Sequence, residues 1–97
     1  MAVQSALLFE TLEDVYGRVF EQVRPRLNRP QIRVSFRRFT TMTSRIRLVG
    51  GVLDVRISDL LEEAPGTLHE SLAWILISKL FRENAPPAHV SAYQKYV

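Results

Sequence analysis

A histidine followed directly by a glutamate on a helix can serve zinc chemistry, provided that a second histidine stands one turn on and turns its imidazole to the same side. His69-Glu70 offers the first half of that arrangement. Four residues after His69 stands Ala73, so the second ligand is missing and His69 reads as an exposed residue in the first turn of a helix. His89 is the only other histidine and cysteine is absent, which excludes a three-histidine centre, a thiolate nucleophile and any Cys-based metal site within the chain. Asp59, Glu62 and Glu63 precede the same helix and read as partners of its dipole rather than as an acid-base pair. Gly50-Gly51 stands alone between two apolar runs and forms no phosphate loop, and no serine has the surroundings of a nucleophile elbow.

Arginine carries the other chemistry. Between Arg24 and Arg56 there are nine arginines against one acid, Asp54, although the whole chain has a formal charge of only +3. Arginine's planar fork suits bidentate contacts to phosphate or carboxylate, so the middle of the chain points to an anionic partner, a nucleic acid or an acidic protein. Arg33, Arg37, Arg45, Arg47 and Arg56 are the candidate contacts to phosphates, and Phe39, just past the first strand, is a candidate for stacking on a base. The competing reading is a solvated face balanced by acidic helices.

Those residues depend on the elements that hold them. Leu8, Leu12, Val15, Val19, Val23 and Leu27 recur at three- and four-residue steps, which predicts an amphipathic helix over 5–27, capped by Ser5 and ended by Asn28 and Pro30, with Pro25 kinking its last turn. Ile32, Val34 and Phe36 alternate with Arg33, Ser35 and Arg37, the period of a strand with one dry face. Ile46 and Leu48, then Leu53, Val55 and Ile57, alternate with polar residues on either side of Gly50-Gly51, which predicts a hairpin with a tight turn. If the three strands share a sheet, the five arginines gather on one face. A helix over 67–82, capped near Thr67, is apolar nearly all round and should be the central buried helix, and Pro86-Pro87 separates it from a short helix over 88–96. The predicted class is α+β: an N-terminal helix, a small antiparallel or mixed three-stranded sheet, a central helix and a short C-terminal helix.

At 97 residues, with 46% hydrophobic and 24% charged, the chain suits one globular domain over 1–97. No apolar run approaches the ~20 residues that cross a bilayer, and the first residues lack the layout of a signal peptide, so the expectation is a cytoplasmic protein with no membrane partner. Nothing in the sequence sets an oligomeric state.

The run Val55-Arg56-Ile57-Ser58-Asp59-Leu60-Leu61 leading to Pro65, and the frame Ser71-Leu72-Ala73-Trp74-Ile75-Leu76-Ile77-Ser78-Lys79-Leu80-Phe81-Arg82, resemble the SprT-like family of compact zincin-fold domains. In those domains a helix and a three-stranded sheet precede a central HExxH helix, and the likeness covers this chain from about residue 8 to 96. The resemblance implies that Trp74 stands in place of the first zinc histidine, Ile75 in place of the general-base glutamate and Ser78 in place of the second histidine. His89-Val90-Ser91-Ala92-Tyr93 resembles the segment of the third ligand, which makes His89 a remnant. A chain of this kind would be a catalytically inactive relative with no catalytic residue, no metal and no other cofactor, kept for binding or scaffolding, and the family's association with DNA favours a nucleic-acid partner. A working metallopeptidase would need both missing histidines from another chain or from residues that this sequence lacks. Family domains continue beyond the third-ligand region, so the resemblance also implies a domain shortened at its C-terminus. On residue type and spacing alone, Trp74 and Ile75 are core residues of a helix and His89 is a surface or hinge histidine.

Overall fold

The computed structural model describes residues 10–39, 41 and 43–97. Helix α1 spans Leu12–Val23. Its start is held by Thr11, whose hydroxyl accepts from the Asp14 N–H at 3.1 Å while the Asp14 carboxylate accepts from the Thr11 N–H at 3.2 Å, a reciprocal pair that satisfies two otherwise free donors. The expected cap at Ser5 lies outside the described residues, but Glu10 and Thr11 are not helical, so the helix starts at Leu12 instead of running on from residue 5. The C-terminal end comes earlier than expected because Pro25 stops the helix instead of kinking it. Arg24, the residue before that proline, is forced out of the helical region to φ −134°, ψ 72°.

Strands β1 (Gln31–Arg37), β2 (Ser44–Val49) and β3 (Val52–Ser58) form one mixed sheet in the order β1-β3-β2. Gly50 and Gly51, at φ +60° and +77°, make the two-residue turn between β2 and β3, a backbone that L side chains adopt only under strain. β3 runs parallel to β1 and antiparallel to β2. Parallel neighbours cannot be joined by a tight turn, and here β2 lies between β1 and β3 in the chain; just beyond the β2–β3 pairing the Thr43 carbonyl accepts from the Ser58 N–H at 3.1 Å. The Ser58 hydroxyl then accepts from the Leu60 N–H at 3.2 Å and opens the 3-10 turn Asp59–Leu61.

Helix α2 (Gly66–Leu80) follows Pro65, with no side-chain hydrogen bond at its start, so Thr67 is not a cap. It ends with Arg82 in the left-handed region at φ 57°, where the Glu83 N–H closes on the Ser78 carbonyl at 2.8 Å. Helix α3 spans Pro87–Tyr96. The core lies between one face of the sheet and helices α1 and α2: Leu53, Val55 and Ile57 of β3 are wholly buried against Val15, Tyr16, Val19 and Phe20 of α1 and Leu72, Ala73, Leu76 and Ile77 of α2. As expected from its all-round apolar sequence, α2 is the most buried helix, with even His69, Ser71 and Ser78 enclosed. Among the described residues, the other face of the sheet carries no helix.

Two arginines join α1 to its neighbours, Arg18 from its middle and Arg24 from its C-terminal end. Arg18 donates to both carboxylate oxygens of Glu10, at 3.0 and 3.1 Å, and to Glu70 of α2 at 3.1 Å, contacts that keep its guanidinium protonated. Arg24 pairs with Glu83 and lies over the Phe81 ring at 4.4 Å, beside an edge-to-face contact of Phe20 with Phe81. Among the described residues no helix is long and apolar enough to cross a membrane.

Candidate functional site

The uncovered sheet face follows from register. Residues directly opposite one another in a sheet share a face, so the pairings Arg33↔Asp54 and Arg47↔Asp54 set one row across the three strands, Arg33-Asp54-Arg47. The next row is Ser35-Arg56-Arg45, and Arg37 stands opposite Ser58 beyond it. All five candidate arginines therefore lie on one face, and all five are exposed. Other arginines of the basic stretch are used elsewhere: Arg24 at the Phe81 contact above, and Arg29 in a pair with Glu21 at 3.3 Å. Continuous basic sequence has thus become a compact patch built only by strand residues.

Asp54 occupies the centre of that patch. Its carboxylate is 3.3 Å from Arg56 Nε, and its side chain is 19% exposed against 46% for Arg56, so it lies low between taller cations. Two shallow depressions share Arg47, Asp54 and Arg56. One, of about 240 Å³, adds Arg45 and Ile46, and the other, of about 280 Å³, adds Arg33, Val49 and Val52. Phe39 sits at the far rim, where the Arg45 guanidinium lies 5.9 Å from the ring centroid. Alternation along β3 already puts Asp54 on the side of Arg56. Its position between Arg33 and Arg47 requires the strand order.

Of the positions carried over from the zinc-peptidase frame, Trp74 and His89 are in contact, away from the arginine face. The Trp74 and His89 rings stack at 5.5 Å between centroids and 12° between planes, joining α2 to α3. His89 Nδ1 is hydrogen-bonded to the Ser71 hydroxyl at 3.0 Å. No motif in the sequence points to Ser71, although it stands one helical turn before Trp74 and so shares its face. Ser78 is buried in α2 and Ile75 is half-buried. A catalytic zinc takes three protein ligands and keeps one open position. Here the three ligand positions hold Trp74, whose indole has no lone pair to offer, Ser78, and His89 stacked on that indole, while Ile75 stands at the position of the base, so these residues do not fit the metal. Among the described residues no three His, Asp or Glu side chains are grouped to hold an ion. The Ser71–His89 contact has no carboxylate bonded to the imidazole among the described residues, so it lacks the third group of a nucleophilic triad.

His69 departs from the expectation of an exposed first-turn residue. It is 3% exposed and its ring meets Phe36 of β1 edge-on at 5.9 Å between centroids. The reason is its place on the helix: the first turn of α2 lies over the sheet, and His69 follows Leu68 into the interior. Neither ring nitrogen completes a hydrogen bond among the described residues. Burial pushes the imidazole below its ordinary pKa, and the Leu61 backbone close by opposes the shift in part. His69 is thus a neutral core residue.

A cleft of about 400 Å³ separates the start of α2 from α3, lined by Pro65, Thr67, Leu68, Glu70, Ser71, Ala88, His89, Ala92 and Tyr96. Its walls are mostly apolar and its one carboxylate, Glu70, is held by Arg18. No family model, curated protein or solved structure matches this chain.

Proposed function

We propose that this chain is a non-catalytic, SprT-like binding domain whose open arginine face engages the phosphate backbone of a nucleic acid. The observation that carries the reading is the face itself: Arg33, Arg37, Arg45, Arg47 and Arg56 surround a single carboxylate on a sheet surface free of helices among the described residues. Five guanidinium groups held within two or three rows repel one another, and in an isolated domain this layout costs stability. A polyanion relieves that repulsion and releases its own counterions on binding. Contacts of this kind give affinity and register without reading bases.

The Trp74–His89 stack supports the non-catalytic part of the reading, because an activated water needs a ligand set and a base at the positions that the indole, Ile75 and Ser78 occupy. The resemblance to SprT-like domains stays within this proposal, supported by the element order and the α2 frame. A cytoplasmic location belongs to it as well, on the cysteine-free composition.

The test is fluorescence anisotropy of labelled DNA over about 50–200 mM salt, with wild type and with Arg45→Glu/Arg47→Glu. Salt-dependent binding that the double variant loses is the expected result. Equal binding by the variant removes the sheet face from consideration, and no binding by wild type at the lowest salt turns the search to an acidic protein surface. Zinc content after purification without chelator tests the catalytic half: stoichiometric metal overturns the assignment of Trp74, Ile75 and Ser78.

A further inference from the structure

We infer that the nucleic acid suited to this face is single-stranded, and that Phe39 receives an unpaired base by stacking. The inference rests on the reading above and names the form of the ligand.

Phe39 lies two residues beyond the end of β1 and keeps the odd-numbered alternation of Arg33, Ser35 and Arg37, so it leaves the strand on the arginine side. The guanidinium of Arg45, from the opposite edge strand, rests 5.9 Å from its ring centroid and ties the ring to that side. Phe39 is half-buried, so part of the ring reaches solvent. At the other end of the face Val49 and Val52 stand opposite each other, with Val49 61% exposed. Along the strands the face therefore changes from apolar, through two rows of arginine, to aromatic. A single strand displays the same mixture, phosphates beside exposed base faces, and basic grooves with aromatic platforms are the usual way to hold one.

A duplex fits less well on physical grounds. Its base faces are hidden in the stack, so Phe39 and the Val49–Val52 end find no counterpart. Its major groove admits a helix or a two-stranded ribbon, whereas here three strands are backed by helices, leaving only the outer phosphates within reach. Seven-residue strands span roughly 23 Å, enough for a short stretch at the lower end of known single-strand site sizes. The Arg45–Phe39 contact places a guanidinium beside the ring, so a base on Phe39 lies next to a cation that can meet the adjoining phosphate.

The experiment compares a labelled oligothymidylate with a duplex of the same length at about 50 mM salt, using wild type, Phe39→Ala and Phe39→Trp, with far-UV circular dichroism showing that each variant is folded. Wild type is expected to bind the single strand more tightly than the duplex. Phe39→Ala should lose roughly tenfold in single-strand affinity with an unchanged salt dependence, since no charge is removed, and Phe39→Trp should match or exceed wild type. Equal or tighter binding of the duplex, or wild-type affinity in Phe39→Ala, overturns the inference while leaving the arginine face as the binding site. Absence of binding to either probe overturns the proposed function itself.

Discussion

Replacing Arg33 and Arg47 by alanine is the cleanest probe of the arginine face, because the two residues sit on opposite edge strands, flank Asp54 and make no ion pair among the described residues. Both are exposed, so the effect on folding should stay within about 0.5 kcal/mol. Each phosphate neutralised on a single strand contributes about −0.7 to the slope of log K against log salt, so five engaged arginines give a slope near −3.5 and three give one near −2.1. Between 50 and 200 mM salt the wild type should then lose roughly 130-fold in affinity and the variant roughly 20-fold. Anisotropy titrations of a labelled oligothymidylate at four or five salt concentrations measure both slopes. Neutralisation of Arg56 by Asp54 would make the wild-type slope shallower, to about −2.8 at the limit, but leaves the drop between the two proteins at about 1.4. Equal slopes in the two proteins refute the reasoning, whatever the absolute affinity, because they mean that neither guanidinium displaces a counterion.

Asp54→Asn frees Arg56 and removes the one negative charge at the centre of the patch, so it should raise DNA affinity at low salt and steepen the slope by up to about 0.7; weaker binding would show that Asp54 orders the arginines rather than competing with the ligand. For His69, the folded chain resists a proton that the unfolded chain accepts near pH 6.5, so its contribution is intact above that pH and declines as the pH falls below it, by at most about 1.4 kcal/mol per unit. Urea melts of wild type and His69→Leu between about pH 8 and 5 should diverge on the acid side, with the variant less sensitive, since His89 and the carboxylates are common to both; parallel profiles would mean that His69 is not held neutral by burial. Tyr16 is wholly buried with its hydroxyl unpartnered among the described residues, and burial, with Tyr93 nearby, pushes its ionisation well above the usual range. Tyr16→Phe should therefore be as stable as wild type or up to about 1 kcal/mol more stable in a urea melt, and a loss greater than that shows that the hydroxyl is satisfied.

Local pattern alone makes much of this molecule readable. The alternation of Ile32, Val34 and Phe36 with Arg33, Ser35 and Arg37 locates β1 to within a residue, and Gly50-Gly51 locates the hairpin, because the pleat and the two-residue turn are properties of a few consecutive residues. The apolar girth of α2 accounts for its burial. Helix α1 is legible in its middle and misread at both ends, because the apolar spacing runs from Leu8 through Leu27 while the Thr11 capping box starts the helix at Leu12 and the backbone leaves it at the residue before Pro25. Trp74 and His89 are linked in the sequence only through the likeness to SprT-like domains. Their 5.5 Å stack joins residues fifteen apart on two helices, a contact that no periodicity encodes.

His69 shows the limit most clearly. Its polar type, its neighbour Glu70 and its first-turn position all argue for exposure, yet it is enclosed against Phe36, a residue thirty-three positions earlier. By itself the sequence determined where the strands and helices lie, the ends of α1 apart, and which side chains share a side of each strand, including the arginines, because those depend on the backbone geometry of single segments. Only the tertiary structure decided that β3 lies in the middle, that Asp54 therefore sits between Arg33 and Arg47, and that the first turn of α2 covers the sheet. Those choices depend on which distant segments bury the most apolar surface against one another, and the whole core makes them at once, with no stretch of it deciding alone.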